Sequence, residues 1–134
     1  APGPPPDIAA AVDEAKRLLG EARLTQAIDV LGGILPAAAR EHGENSHVVR
    51  VLRKQYAATL LDDGQYHRAL PELTRLAHDR ATEAGPADPQ ALRFRFDAAQ
   101  CREHLGDLPA ARAEYRALLA YADPTLAEEI RARL

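Results

Sequence analysis

The sequence predicts an all-α fold, a solenoid of about three helix pairs with one further helix at its C-terminal end. Three observations carry this. The chain overlays itself when shifted by 42 residues. Its apolar residues recur at spacings of three and four, which gathers them on one face of a helix. With four Tyr, two Phe and no Trp in 134 residues, the core must be Ala, Leu, Ile and Val. Ala, Leu, Arg and Glu are abundant and lose little freedom in a helix, whereas strand formers never alternate with polar residues over a useful length.

The elements follow in order. Residues 1–6, Ala-Pro-Gly-Pro-Pro-Pro, read as the remnant of a Pro-rich linker. The chain has no Met, as expected of a piece of a longer protein. Asp7 caps a first helix whose face is Ile8, Ala11, Val12, Ala15, Leu18 and Leu19. Thr25 is expected to cap a second, carried by Ile28, Leu31, Ile34 and Leu35, with a kink near Pro36, close packing at Gly32-Gly33 and an end near Gly43. Ser46 or Asn45 caps a third, with Val49, Leu52, Tyr56, Ala57 and Leu60, and Gly64 ends it. The fourth begins near Tyr66, carries Ala69, Leu73, Leu76 and Ala77, and ends near Gly85. Asp88-Pro89 is a cap followed by Pro at the first helical position. The fifth helix carries Phe94, Ala98, Cys101 and Leu105, and Gly106 ends it. Asp107 caps the sixth, with Leu108, Ala111, Tyr115, Leu118 and Leu119. Asp123-Pro124 starts a seventh, Thr125 to Leu134, placed to cover the end of the stack.

In the 42-residue register Ala27, Ala69 and Ala111 coincide, as do Leu31, Leu73 and Tyr115, then Ile34, Leu76 and Leu118, and in the preceding helices Ala15, Ala57 and Ala99. Gly64 matches Gly106, with Ala22 in the first repeat. The repeats fall at about 8–45, 46–87 and 88–122 of one domain spanning 7–134, and the capping helix at 124–134. A fixed period of this length is the mark of stacked helix pairs.

Gly64-Gln65-Tyr66-His67-Arg68-Ala69 and Gly106-Asp107-Leu108-Pro109-Ala110-Ala111 resemble the signature of the tetratricopeptide repeat, in its longer variant, over roughly residues 8–122. The resemblance implies a right-handed α-solenoid. Three departures stand out: Ala22 replaces the Gly, Arg53 and Arg95 take a position that is usually a large aromatic, and Arg102 replaces a large apolar residue. The Ala, Leu and Arg richness, the Pro-rich lead and the phrase Leu92-Arg93-Phe94-Arg95-Phe96-Asp97-Ala98-Ala99-Gln100-Cys101 are similar to repeat regions of large actinobacterial regulators, such as serine/threonine protein kinases.

Composition narrows the function. Net charge is −3, with 17 basic and 20 acidic residues interspersed, so no basic field and no stacking aromatics invite nucleic acid. No apolar run approaches the roughly 18 residues of a membrane span. One Cys cannot form an internal disulfide, and a cytoplasmic location is expected. Ser46-His47 lacks a nucleophile elbow and an oxyanion hole, so Ser46 reads as a helix cap. The five His never fall at i, i+4, and no metal or other cofactor is expected. Asp62-Asp63 point apart on a helix end. Cys101 reads as a small core residue. No enzyme is expected in this stretch.

The resemblance implies instead that the first helix of each pair lines a concave surface. Carried over by the register, its positions are Ala9, Val51 and Arg93; Val12, Lys54 and Phe96; Asp13, Gln55 and Asp97; and Lys16, Ala58 and Gln100. The Lys and Asn that the family uses to clamp a C-terminal carboxylate are not in place, which argues against a chaperone-tail receptor. The candidate peptide-binding residues are Lys16, Lys54, Arg93, Phe96 and Gln100, the cations meeting an acidic peptide and Phe96 serving as apolar anchor. The expected function is a protein or peptide interaction module of a larger regulator. The other readings are self-association into homodimers and the peptide-sensing part of a transcriptional regulator.

Overall fold

A computed structural model describes residues 7–134; the linker remnant of residues 1–6 lies outside the described residues. Seven helices and no strand occur among the described residues: α1 (Ile8–Gly20), α2 (Leu24–His42), α3 (His47–Asp62), α4 (Tyr66–Ala84), α5 (Pro89–His104), α6 (Leu108–Leu119) and α7 (Pro124–Arg131). The described residues form two compact units that divide after Gly64, residues 7–64 and 65–134. In the first, α1 and α3 both pack on α2; in the second, α5 packs on α4 and α6, and α7 packs on α6.

The capping residues act largely where their chemistry places them. Asp7 accepts from the Ala10 amide at 2.9 Å, Asp107 from Ala110 at 3.4 Å and Asp123 from Leu126 at 2.8 Å. Ser46, not Asn45, caps α3, accepting from the Val49 amide at 3.3 Å. Asp88 accepts from both Gln90 and Ala91 and is gripped by Arg80 at 2.9 Å. The Arg80 hydrogen bond holds the Asp88 carboxyl below the usual carboxylate range. α7 stops at Arg131, three residues short of the expected end.

Thr25 is a correction. α2 starts at Leu24 after Arg23, with no side-chain cap, and Thr25 donates its hydroxyl to Asp63 at 3.3 Å instead. The turn before it is the reason. Ala22 sits at φ 56°, and the Arg23 amide returns to the Leu18 carbonyl at 2.9 Å. This is the Schellman pattern that ends α1 and launches α2 at once. Gly64 and Gly106, at the equivalent points of the register, have φ of 72° and 88°. Ala22 makes the same turn with a Cβ that an L-residue holds there at a cost of about 1–2 kcal/mol.

The repeat register is also a register of burial. Ala15, Ala57 and Ala99, Ala27, Ala69 and Ala111, Leu31, Leu73 and Tyr115, and Ile34, Leu76 and Leu118 are all buried. In the first unit Ala15, Leu31, Ile34, Val49 and Leu52 share one cluster with Ile8, Ala11 and Val12 packed against it. In the second, Leu92, Phe96 and Ala99 of α5, Ala111, Tyr115 and Leu118 of α6, and Leu126 and Ile130 of α7 form another. α2 runs through Pro36 without a break. A Cβ on Gly32 would lie 3.2 Å from the Tyr56 ring, whereas one on Gly33 would meet nothing. Close approach therefore belongs to Gly32 alone. Arg53 and Arg95, at equivalent points of the register, are partly buried and each holds a carboxylate, Glu44 and Glu114 respectively.

Ala22→Gly is expected to raise stability by about 1 kcal/mol by relieving the left-handed residue, measured as a higher urea midpoint with unchanged slope. Ala111→Leu is expected to cost about 1–3 kcal/mol by overpacking the α5–α6 contact; an unchanged melting temperature would show that the site has slack.

Candidate functional site: an open cleft between two helices

α1 and α3 flank α2, and between them lies an open cleft of about 670 Å³. α1 turns one face to it, Ile8, Ala9, Val12, Asp13 and Lys16, at the three- and four-residue spacing of a helical stripe. α3 contributes His47, Val48, Val51, Leu52 and Gln55, and the end of α2 adds Glu41 and His42. Leu52 is buried and belongs to the core beneath. Val48 and Val51 do not: they are 39% and 43% exposed. α3 carries apolar residues at 48, 49, 51 and 52, a band too wide for one core to cover. Val49 and Leu52 turn inward, and Val48 and Val51 face the cleft.

The cleft collects Ala9, Val12, Asp13, Lys16, Val51 and Gln55, six of the positions assigned to a concave surface. Lys54 is exposed on α3 but lies outside the lining. The remaining candidates are in the second unit, in different surroundings. Arg93 pairs with Glu129 of α7 at 2.7 Å, its guanidinium 5.3 Å from the Phe96 ring centre. The Gln100 amide, with its oxygen toward Arg133, accepts two hydrogen bonds there. Phe96 is only 4% exposed and packs on Tyr115 with ring centres 5.7 Å apart.

Phe96 as an open apolar anchor is therefore corrected. Leu126 and Ile130 bring α7 into the same core cluster as Phe96, and the flanking polar groups of α5 are taken up by residues of α7 and its tail. The sequence places an aromatic at this position of the register; that a later helix returns over it is a tertiary fact.

The second unit has a counterpart cleft of about 500 Å³ between α5 and α7, lined by Phe96, Gln100, Glu103, Glu129, Ala132 and Arg133. It is tied across. Besides Arg93–Glu129, Arg133 holds Glu103 at 2.9 Å, and Glu103 accepts the Tyr115 hydroxyl at 3.0 Å. Burial and this hydrogen bond hold the Tyr115 hydroxyl protonated well above the usual phenol range. No ion pair joins α1 to α3 among the described residues; Arg17 of α1 is held by Glu14 and Glu21 on its own side.

The chemistry candidates take structural places. Ser46 is a helix cap, and Asp63 receives the Thr25 hydroxyl. His47 lines the cleft with His42, and no group of three or more His, Cys, Asp or Glu converges among the described residues. Cys101 is fully buried, and desolvation pushes its thiol up to about 11. No helix among the described residues is long and apolar enough to cross a membrane.

Sequence reading missed His47, Val48, Glu41 and His42, although the wide apolar band of α3 signals that some of it must face out. Compared with known proteins, the chain matches no family model and no curated protein sequence.

A disulfide reagent at pH 8 is expected to leave Cys101 untouched in the folded protein and to label it fully in guanidinium, since only the thiolate reacts. Rapid labelling under native conditions would show that the α5 core opens readily.

Proposed function

We propose that this chain is a tetratricopeptide-type α-solenoid that binds a protein or peptide segment in the cleft between α1 and α3. The observation that carries the reading is the pair of exposed valines, Val48 and Val51, in an apolar-floored cleft. Large aliphatic side chains turned toward water in a concave site are what a partner can bury, at roughly 25 cal/mol per Å² of apolar surface. The repeat register supports the solenoid part, because small and large core residues recur in step at buried positions of the helix pairs. In such a module the binding energy concentrates in a few central groups, here Val12, Val48 and Val51. Its place in a larger regulator, such as a serine/threonine kinase, belongs to the same proposal and rests on sequence resemblance.

The test is a peptide selected from a random library on the intact chain, then measured by fluorescence anisotropy. The double variant Val48→Ser, Val51→Ser changes only exposed positions and is expected to fold with little loss of stability. It is expected to weaken peptide binding about tenfold or more. Unchanged affinity would move binding to another face. A concentration-dependent dimer in sedimentation, lost in the double variant, would instead identify self-association as the use of the cleft.

A further inference from the structure

We infer that the segment received by the α1–α3 cleft is basic: an apolar stretch carrying Lys or Arg, in place of the acidic peptide that the sequence suggests. The inference rests on the cleft being a binding site, and it follows from where the charges fall. Of the cations proposed for an acidic ligand, Arg93 is already paired with Glu129 and Lys54 lies outside the cleft. Only Lys16 remains. Against it stand three carboxylates in the lining, Asp7, Asp13 and Glu41. Asp7 commits one oxygen to the Ala10 amide. Neither Asp13 nor Glu41 has an ion-pair partner among the described residues.

The counterpart cleft shows what such carboxylates take when the chain itself supplies the partner. Between α5 and α7, Glu129 and Glu103 each hold a guanidinium, from Arg93 and Arg133, beside the apolar contacts of Leu126 and Ile130. The α1–α3 cleft also holds carboxylates over an apolar floor, at other positions of the register, and no guanidinium is in its lining. An acidic segment would add like charge to a face already in carboxylate excess. A basic one brings the cations that Asp13 and Glu41 lack, while its apolar residues cover Val48 and Val51.

The experiment uses the intact chain and three fluorescent peptides of about a dozen residues with one Leu/Ile-centred apolar core, flanked by Lys/Arg, by Gln or by Glu. At low salt the basic peptide is expected to bind about three- to tenfold more tightly than the neutral one, the acidic one more weakly than either, with the spread narrowing at 0.3 M salt as exposed pairs are screened. The variant Asp13→Lys, Glu41→Lys is expected to reverse the order. Equal binding of all three peptides, abolished by Val48→Ser, Val51→Ser, would keep the cleft and overturn the basic preference; so would tightest binding of the acidic peptide. Binding insensitive to the Ser variant, or no binding of any peptide, would overturn the cleft reading and this inference with it. A dimer lost in the Ser variant would make the occupant a second copy, which also overturns it.

Discussion

Helices can approach closely only where the residue between them is small, and most of this fold follows from that limit. With few aromatics to span a gap, a core of Ala, Leu, Ile and Val stays dry only if its helices come close. Ala15, Ala57 and Ala99 on one helix of each pair, and Ala27, Ala69 and Ala111 on the other, are at or near zero exposure. Residues so fully enclosed leave little room for a larger side chain. Between these points Leu31, Leu73 and Tyr115 fill the remaining volume. Where the limit is tightest, at Gly32, even a methyl group would crowd the Tyr56 ring. Within each unit the turns serve the same end, because a left-handed residue at 22 or 106 returns the chain at once into its neighbour.

The same construction gives two clefts with different contents. α5 and α7 are drawn together by burial of Leu126 and Ile130, each worth roughly 1.5–3 kcal/mol. The ion pairs above them are weaker: Arg93 and Glu129 are each 45% exposed, and such a pair contributes about 1 kcal/mol or less. Apolar burial thus holds α7 in place, and the ion pairs set which polar groups face each other across the gap. In the α1–α3 cleft the apolar contact is incomplete, because Val48 and Val51 stand beyond what α1 covers. It leaves apolar surface at Val48 and Val51 and the carboxylates of Asp13 and Glu41 exposed.

The distribution of charge says more about the cleft than net charge does. The chain carries a net charge of −3 with both signs interspersed, and three candidate groove positions are cations. Folding treats the cations differently: Arg17 and Arg80, outside the groove positions, are held by Glu14 and Glu21 and by Asp88, and Arg93 is held by Glu129. Of the three groove candidates Arg93 is thus paired, Lys54 is exposed outside the cleft and Lys16 alone lines it, beside the carboxylates of Asp7, Asp13 and Glu41.

Much of the fold was legible in the sequence because its causes are local. Asp7, Asp88, Asp107 and Asp123 cap helices through their own following amides, and glycines at 64 and 106 supply the turns. Thr25 was misread because its role depends on Asp63, which is distant in sequence. The site was half legible: the repeat resemblance, carried over by the 42-residue register, picked out Ala9, Val12, Asp13 and Lys16 of α1, and these residues line the cleft. The fates of Phe96, Arg93 and Gln100 were not legible, since periodicity gives the side of a helix on which a residue stands and not what arrives to cover it. By itself the sequence determined the helices, their caps and the recurring small residues, because these depend on neighbours within a turn or two. Only the tertiary structure decided that ion pairs tie the α5–α7 cleft across while none joins α1 to α3 among the described residues, because that depends on contacts between residues about thirty apart or more, such as Arg93 with Glu129 and Glu103 with Arg133.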